Sequence, residues 1–221
     1  MVILDRVTKS YRLKGIRKVI FDELTFTFPE GKNIGIMGKN GAGKSTMMRL
    51  LAGTEPPDRG RIYRNQKVSW PLGFSGGFNG SMTGIENIRF VSRIYGQDTD
   101  RVIDYVTEFA ELGPSLKLPI KTYSNGMKAR LAFGLSMAID FQIYLIDEIT
   151  AVGDADFKKK SRAVFRDKLA DRQIIMVSHA PATIKEYCNC GLLLENGQVT
   201  FFPTVEALLD AYKKSSKKQV E

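Results

Sequence analysis

The run Gly38-Lys39-Asn40-Gly41-Ala42-Gly43-Lys44-Ser45-Thr46 constrains the fold more than any other stretch. It joins an apolar, strand-like segment over residues 33–37 to a helix-like segment that opens at Ser45. The G-x-x-x-x-G-K-[ST] pattern between a strand and a helix is the signature of a phosphate-binding loop. Gly38, Gly41 and Gly43 lack a Cβ, so the backbone can take positive φ and turn successive N–H groups toward phosphate oxygens, with Asn40 and Ala42 completing the cradle. The helix that follows adds the positive end of its dipole. Lys44 is expected to reach the β- and γ-phosphates, Ser45 to ligate Mg²⁺ and Thr46 to support the phosphate from the same turn.

A chain of 221 residues suits one α/β domain with room for a small inserted subdomain. Its formal charge of +9 permits a polyanion or an acidic membrane surface as partner, and equally a solvated basic surface. No apolar run approaches the roughly 18 residues that cross a bilayer. The opening Met1-Val2-Ile3-Leu4-Asp5-Arg6 lacks the layout of a signal peptide. A soluble, globular, cytoplasmic chain is expected. Cys188 and Cys190 are one residue apart, a poor spacing for a disulfide and too few ligands for zinc, so reduced structural thiols are expected.

Residues 2–7 read as a strand followed by a polar, basic loop to Arg17. Leu24, Phe26 and Phe28 then alternate with polar residues, as in a half-buried strand. Short strands over 61–64 and 67–70 are expected to return to this first, antiparallel sheet. Residues 70–80 are too rich in glycine for a regular element. Thr83-Gly84-Ile85-Glu86 has the form of a capping box, predicting a helix through Ile94. A second helix fits 100–112, and Ser124 can cap a third through Ala138. Residues 81–138 thus form a helical insertion. The apolar runs 142–147 and 172–178 suit central parallel strands, with a basic helix over 156–169 between them. Asn196-Gly197 marks a type I′ hairpin, and the basic tail from Lys213 is read as a solvated end.

Several residues gain meaning beside the phosphate loop. Asp147 and Glu148 end a buried strand, where Asp147 can hold Mg²⁺ through water and Glu148 can polarise the attacking water. His179, the only histidine in the sequence, follows another buried strand; it is either structural or a partner of the γ-phosphate and the catalytic water. Ser124-Asn125-Gly126-Met127 is either a helix cap or a second anion site, which would imply a nucleotide shared between two copies. Tyr11 either packs in the core or stacks on an adenine face. Asp154 is an ordinary loop acid or a bridge between protomers.

In their order along the chain, Tyr11, Gly38 to Thr46, Asn79, Tyr123-Ser124-Asn125-Gly126-Met127, Asp147-Glu148, Val152-Gly153-Asp154 and His179 resemble an ATP-binding cassette ATPase over almost the whole length. The resemblance implies a P-loop NTPase core with a mostly parallel sheet, an N-terminal antiparallel β-subdomain and an inserted α-helical subdomain. It also implies ATP and Mg²⁺ as ligands. A head-to-tail homodimer would place ATP between the phosphate loop of one copy and Ser124 and Gly126 of the other. Two details depart from the common pattern. Tyr123, Asn125 and Met127 replace the Leu, first Gly and Gln of the usual Leu-Ser-Gly-Gly-Gln signature. Asn79 stands where a longer, Mg²⁺-sensing glutamine is usual.

The wording Ser69-Trp70-Pro71-Leu72-Gly73, Gly77-Phe78-Asn79-Gly80-Ser81-Met82-Thr83-Gly84 and Ala151-Val152-Gly153-Asp154 is similar to the ATPase subunits of bacterial capsular polysaccharide exporters, and more distantly to those of O-antigen exporters. That likeness implies a transmembrane permease as partner, a lipid-linked and usually acidic glycan as cargo, and a peripheral position on the cytoplasmic face of the inner membrane. Transport of another substrate by the same nucleotide site is the alternative. Soluble cassette ATPases acting on ribosomes or nucleic acid usually carry two cassettes or a long coiled-coil insertion, so no nucleic acid partner is expected.

Overall fold

The computed structural model describes residues 1–13, 15–72, 77–147 and 155–217. The chain opens with β1 (Val2–Leu13), β2 (Ile16–Phe28), β3 (Ile34–Gly38), α1 (Lys44–Ala52), β4 (Arg59–Arg64) and β5 (Val68–Pro71). Then come α2 (Gly84–Ile94), α3 (Thr99–Ala110), α4 (Asn125–Ala138), β6 (Ile143–Asp147) and α5 (Ala155–Leu169). It continues through β7 (Gln173–Val177), α6 (Pro181–Tyr187), β8 (Cys190–Glu195), β9 (Gln198–Phe202) and α7 (Val205–Lys217). Two compact units separate. The first holds residues 1–71, 141–149 and 172–221; the second holds residues 72–140 and 150–171.

The first unit contains both sheets. One is antiparallel in the order β2-β1-β4; the other runs β5-β6-β7-β3-β8-β9, parallel except for β9. Every residue of β3 and of β7 is buried, which explains why both are apolar except at Gln173, whose amide donates to the Pro29 and Lys32 carbonyls. Helix α1 supplies Met47, Met48, Leu50 and Leu51 to a core shared with Leu4 and Phe28 of the antiparallel sheet and with Ile36 and Ile175 of the parallel one. Burial of these apolar side chains is the main stabilising term of the unit.

Two expectations need correction here. The basic stretch up to Arg17 is not a loop throughout, because β1 and β2 continue to pair as Tyr11↔Lys18 and Arg12↔Arg17. Backbone ladder bonds hold such a ribbon whatever its side chains, so hydropathy gave no sign of it. The strand expected near 67–70 does not join the first sheet. As β5 it lies parallel to β6, with Val68 opposite Ile143 and Pro71 opposite Leu145. The buried hydroxyl of Ser69 accepts a 2.9 Å bond from the Leu145 amide, and Trp70 meets Phe141 edge-on. The short segment is fixed by these contacts rather than by periodicity.

The hairpin between β8 and β9 turns on Asn196 and Gly197, with φ of 49° and 77°, as a type I′ turn requires. Residues 213–217 of the polar tail are the end of helix α7, which buries Val205, Leu208 and Leu209. The Ser215 hydroxyl donates to the carboxylate of Glu195. Cys188 and Cys190 are free, buried thiols. Burial, reinforced by Cys190, pushes Cys188 up to about 12 and makes it an inert group.

The second unit is helical. Thr83 and Glu86 form the expected capping box: the Glu86 amide donates to the Thr83 hydroxyl at 3.2 Å and the Thr83 amide to the Glu86 carboxylate at 2.8 Å. Asp98 caps α3 and Ser124 caps α4. Phe109 of α3 stacks on Phe133 of α4, with ring centroids 5.7 Å apart, and meets Phe157 of α5 edge-on at 5.4 Å. Residues 81–138 fall within this unit, which also contains α5.

Candidate functional site

Parallel pairing puts the carboxyl ends of β6, β7 and β3 on one edge of the sheet. Asp147 lies opposite Val177, and Val177 lies opposite Ile36. His179 and Gly38 each follow that row by two residues, so Asp147, His179 and the phosphate loop emerge together from the edge where open α/β sheets take their ligands.

The loop itself is built around absent side chains. Gly43 caps α1 with φ of 103°, and a Cβ there would stand 2.6 Å from Ile20 Cγ2. At Gly38 a Cβ would lie 2.5 Å from the Leu194 carbonyl oxygen on the neighbouring strand β8. Lys44 is buried and donates to the Gly38 and Lys39 carbonyls at 2.8 and 2.9 Å, folding its ammonium into the loop. Thr46 is buried, whereas Ser45 and Asn40 are exposed. A cleft of about 470 Å³ opens beside the loop, lined by Lys18, Ile20, Asn40, Gly41 and Asn196 among others.

Tyr11 packs partly against the core, and its phenol is committed to polar partners. It donates to Glu55 at 2.7 Å, accepts from Arg49 at 2.9 Å and lies 3.4 Å from the Thr46 hydroxyl. Glu55 also accepts from Arg49 and from Lys9, both at 2.9 Å. Burial raises the Glu55 carboxyl, but the hydrogen bonds from Arg49, Lys9 and Tyr11 outweigh it and hold the group at about 2. Sequence reasoning missed Glu55, Arg49 and Lys9. Glu55 stands in the Pro- and Gly-rich turn after α1 and Lys9 in a strand, and no local pattern joins them.

Among the described residues, the candidates Asn79, Ser124 and Gly126 belong to the second unit. Asn79 turns its side-chain oxygen to the Ser81 amide at 3.0 Å, and its backbone is tied to Asn87 in both directions. Asn87 is 1% exposed and also donates to the Met82 and Thr83 carbonyls. A buried Asn in the first turn of a capped helix was the available signal, and it was overlooked. Ser124 accepts from the Met127 amide at 3.2 Å. Beside it, Ser124, Gly126, Met127, Glu111 and Arg130 help to line a shallow cavity of about 420 Å³. Tyr123, one of the three residues that depart from the usual signature, is buried and donates to the Ser115 carbonyl at 2.6 Å. Glu148 and Asp154 lie outside the described residues.

Residues 21–151 match the family described as ABC transporter. The chain belongs to the ABC transporter family. It is 49% identical over 218 residues to the polysialic acid transport ATP-binding protein KpsT of Escherichia coli, covering 97% of this chain and 99% of that protein. It is 45% identical to the ATP-binding protein BexA of Haemophilus influenzae, covering 98% and 100%, and 45% identical to the capsule polysaccharide export ATP-binding protein CtrD of Neisseria meningitidis serogroup B, covering 96% and 98%. Among solved structures, the dimeric post-hydrolysis state of the ATP-binding cassette MJ0796, bound to ADP and Pi, matches with a TM-score of 0.69 at 19% identity, over 91% of this chain and 98% of that one. That likeness establishes the cassette fold. Within the ABC family the chain is an ATPase subunit. Among the described residues, no helix is long and apolar enough to cross a membrane.

Proposed function

We propose that this chain is the ATP-hydrolysing subunit of an exporter of a lipid-linked capsular polysaccharide. The observation that carries this reading is the 49% identity to the polysialic acid transport protein, spread over nearly all of both chains. Teichoic acid and O-antigen export proteins match at 33–38% and rank as more distant alternatives. An acidic glycan is the cargo class that the name polysialic acid suggests.

The phosphate loop takes the triphosphate of ATP, with Lys44 turning from its own loop carbonyls to the phosphate oxygens and Thr46 steadying them. Tyr11 takes the base. Mg²⁺ suits the donors present, since the Ser45 hydroxyl is exposed at the head of α1 and Asp147 ends strand β6, separated from β3 by β7, both offering hard oxygen ligands. Bound there, the ion would neutralise charge on the phosphates. Asn79 is assigned to the same ion. Glu148 polarises the attacking water and His179 holds it and the γ-phosphate. Ser124 and Gly126 serve the nucleotide of a second copy, and Asp154 bridges the two. The homodimer works on the cytoplasmic face of the membrane beneath a permease.

Affinity purification of the chain from detergent-solubilised membranes of its source cell is the direct test of the partner. The reading predicts recovery of one multispanning protein in a fixed ratio; recovery of ribosomes or nucleic acid instead would move the chain to the soluble class.

A further inference from the structure

The polar cluster around Glu55 has more connections than an exposed turn needs. Glu55 Oε1 receives Lys9 Nζ at 2.9 Å, and Oε2 receives both the Tyr11 phenol at 2.7 Å and Arg49 Nε at 2.9 Å. Lys9 is held further by the Pro56 carbonyl at 2.9 Å and by Asp58 at 3.5 Å, and its ammonium lies 5.5 Å from the Tyr11 ring centroid. Arg49 Nη2 reaches the Tyr11 phenol at 2.9 Å and the Thr46 hydroxyl at 3.3 Å. The cluster therefore links β1 through Lys9 and Tyr11, α1 through Thr46 and Arg49, and the turn after α1 through Glu55.

Counting protons gives the cluster a direction. An ionised carboxylate only accepts and a guanidinium only donates. The single phenol proton of Tyr11 is therefore committed to Glu55, while its oxygen receives Arg49. Thr46 also receives Arg49, which leaves the threonine proton to be donated either to the phenol oxygen or to an anion lying on the loop. Charge-assisted bonds of this kind are shorter and stronger than neutral ones and fix the groups they join.

We propose that Glu55 is a positioning residue of the nucleotide site, holding the Tyr11 ring at a fixed place relative to Thr46 so that one rigid cluster presents both a base-stacking face and a phosphate-facing hydroxyl. The proposal rests on the assignment of Tyr11 to the base and of the loop to the phosphates. Glu55 itself touches no nucleotide. Loss of its carboxylate frees the Tyr11 phenol and leaves the phosphate cradle of Gly38, Gly43 and Lys44 intact.

The test compares the affinities of the purified full chain for ATP and for inorganic tripolyphosphate, each with Mg²⁺, because only ATP carries a base. The ratio of the two affinities is expected to fall about five- to tenfold in Glu55→Gln and in Tyr11→Phe, with the double variant falling no further than either alone, as for residues of one network. A merely structural role would lower both affinities together and leave the ratio unchanged, which overturns the proposal. An unchanged ratio in Glu55→Gln beside a reduced ratio in Tyr11→Ala would also overturn it, while leaving Tyr11 as the base-stacking residue. An unchanged ratio in Tyr11→Ala would remove the base assignment itself, and the proposal with it. Should Glu55→Gln fail to fold by circular dichroism, Tyr11→Phe decides: a retained ratio overturns the proposal.

Discussion

The ammonium of Lys44 donates 2.8 Å to the carbonyl of Gly38, joining the first residue of α1 to the last residue of β3 across the loop they bound. Two backbone carbonyls, those of Gly38 and Lys39, thus hold the cation within the loop, and phosphate oxygens can exchange for them.

Lys44→Ala is expected to weaken ATP binding by about 10- to 100-fold, since hydrogen bonds to charged groups contribute on the order of 1.5–3 kcal/mol and each tenfold is about 1.4 kcal/mol. Equilibrium binding with labelled ATP measures it. Retained affinity would place the nucleotide elsewhere.

Gly43→Ala should destabilise the first unit. Its φ of 103° strains any residue with a side chain, and the new methyl would meet Ile20 Cγ2 at 2.6 Å and Phe21 Cζ at 3.0 Å. A loss of roughly 2 kcal/mol follows from left-handed strain and overpacking together, read as a lower urea midpoint with unchanged slope.

Asn87→Ala removes the side chain that satisfies the Asn79 amide and donates to three carbonyls. Leaving such buried groups unpaired costs about 1–3 kcal/mol. Faster hydrogen exchange at the Asn79 amide, with exchange in β3 unchanged, is the expected pattern. Equal acceleration in both would mean that Asn87 supports the whole fold rather than this loop.

The Glu55 carboxyl is held at about 2, against 4.5 when free, so the folded chain binds this proton less tightly than the unfolded chain does. Its contribution to stability is fully present above 4.5 and is lost as pH falls through about 2. The stability difference between the wild type and Glu55→Gln should therefore shrink over that window. Denaturant titrations at several pH values check it, and a constant difference would contradict the network.

Thr83 with Glu86, Ser124, and Asn196 with Gly197 were legible because each signals through neighbours within a few residues. The buried strands β3, β6 and β7 were legible because they are apolar on both faces. The pairing of β5 with β6 was not, since it depends on Ser69 meeting the Leu145 amide, 76 residues away. Helices α6 and α7 also escaped notice, being short or largely polar. The same reason hid the polar cluster at the site: Lys9 and Glu55 are 46 positions apart, and only the fold of β1 over α1 brings them within 2.9 Å. Sequence patterns name the groups that face a ligand, whereas the groups that hold them in place emerge from tertiary contacts.

The most direct test of the account is the location of lipid-linked polysaccharide in source cells that carry Glu148→Gln. The variant should bind ATP and nearly stop hydrolysing it, because the attacking water loses its polarising carboxylate. The account predicts that glycan then accumulates inside the cell and disappears from the surface. An unchanged distribution, with the variant expressed and shown to be hydrolysis-dead, would contradict glycan export by this ATPase.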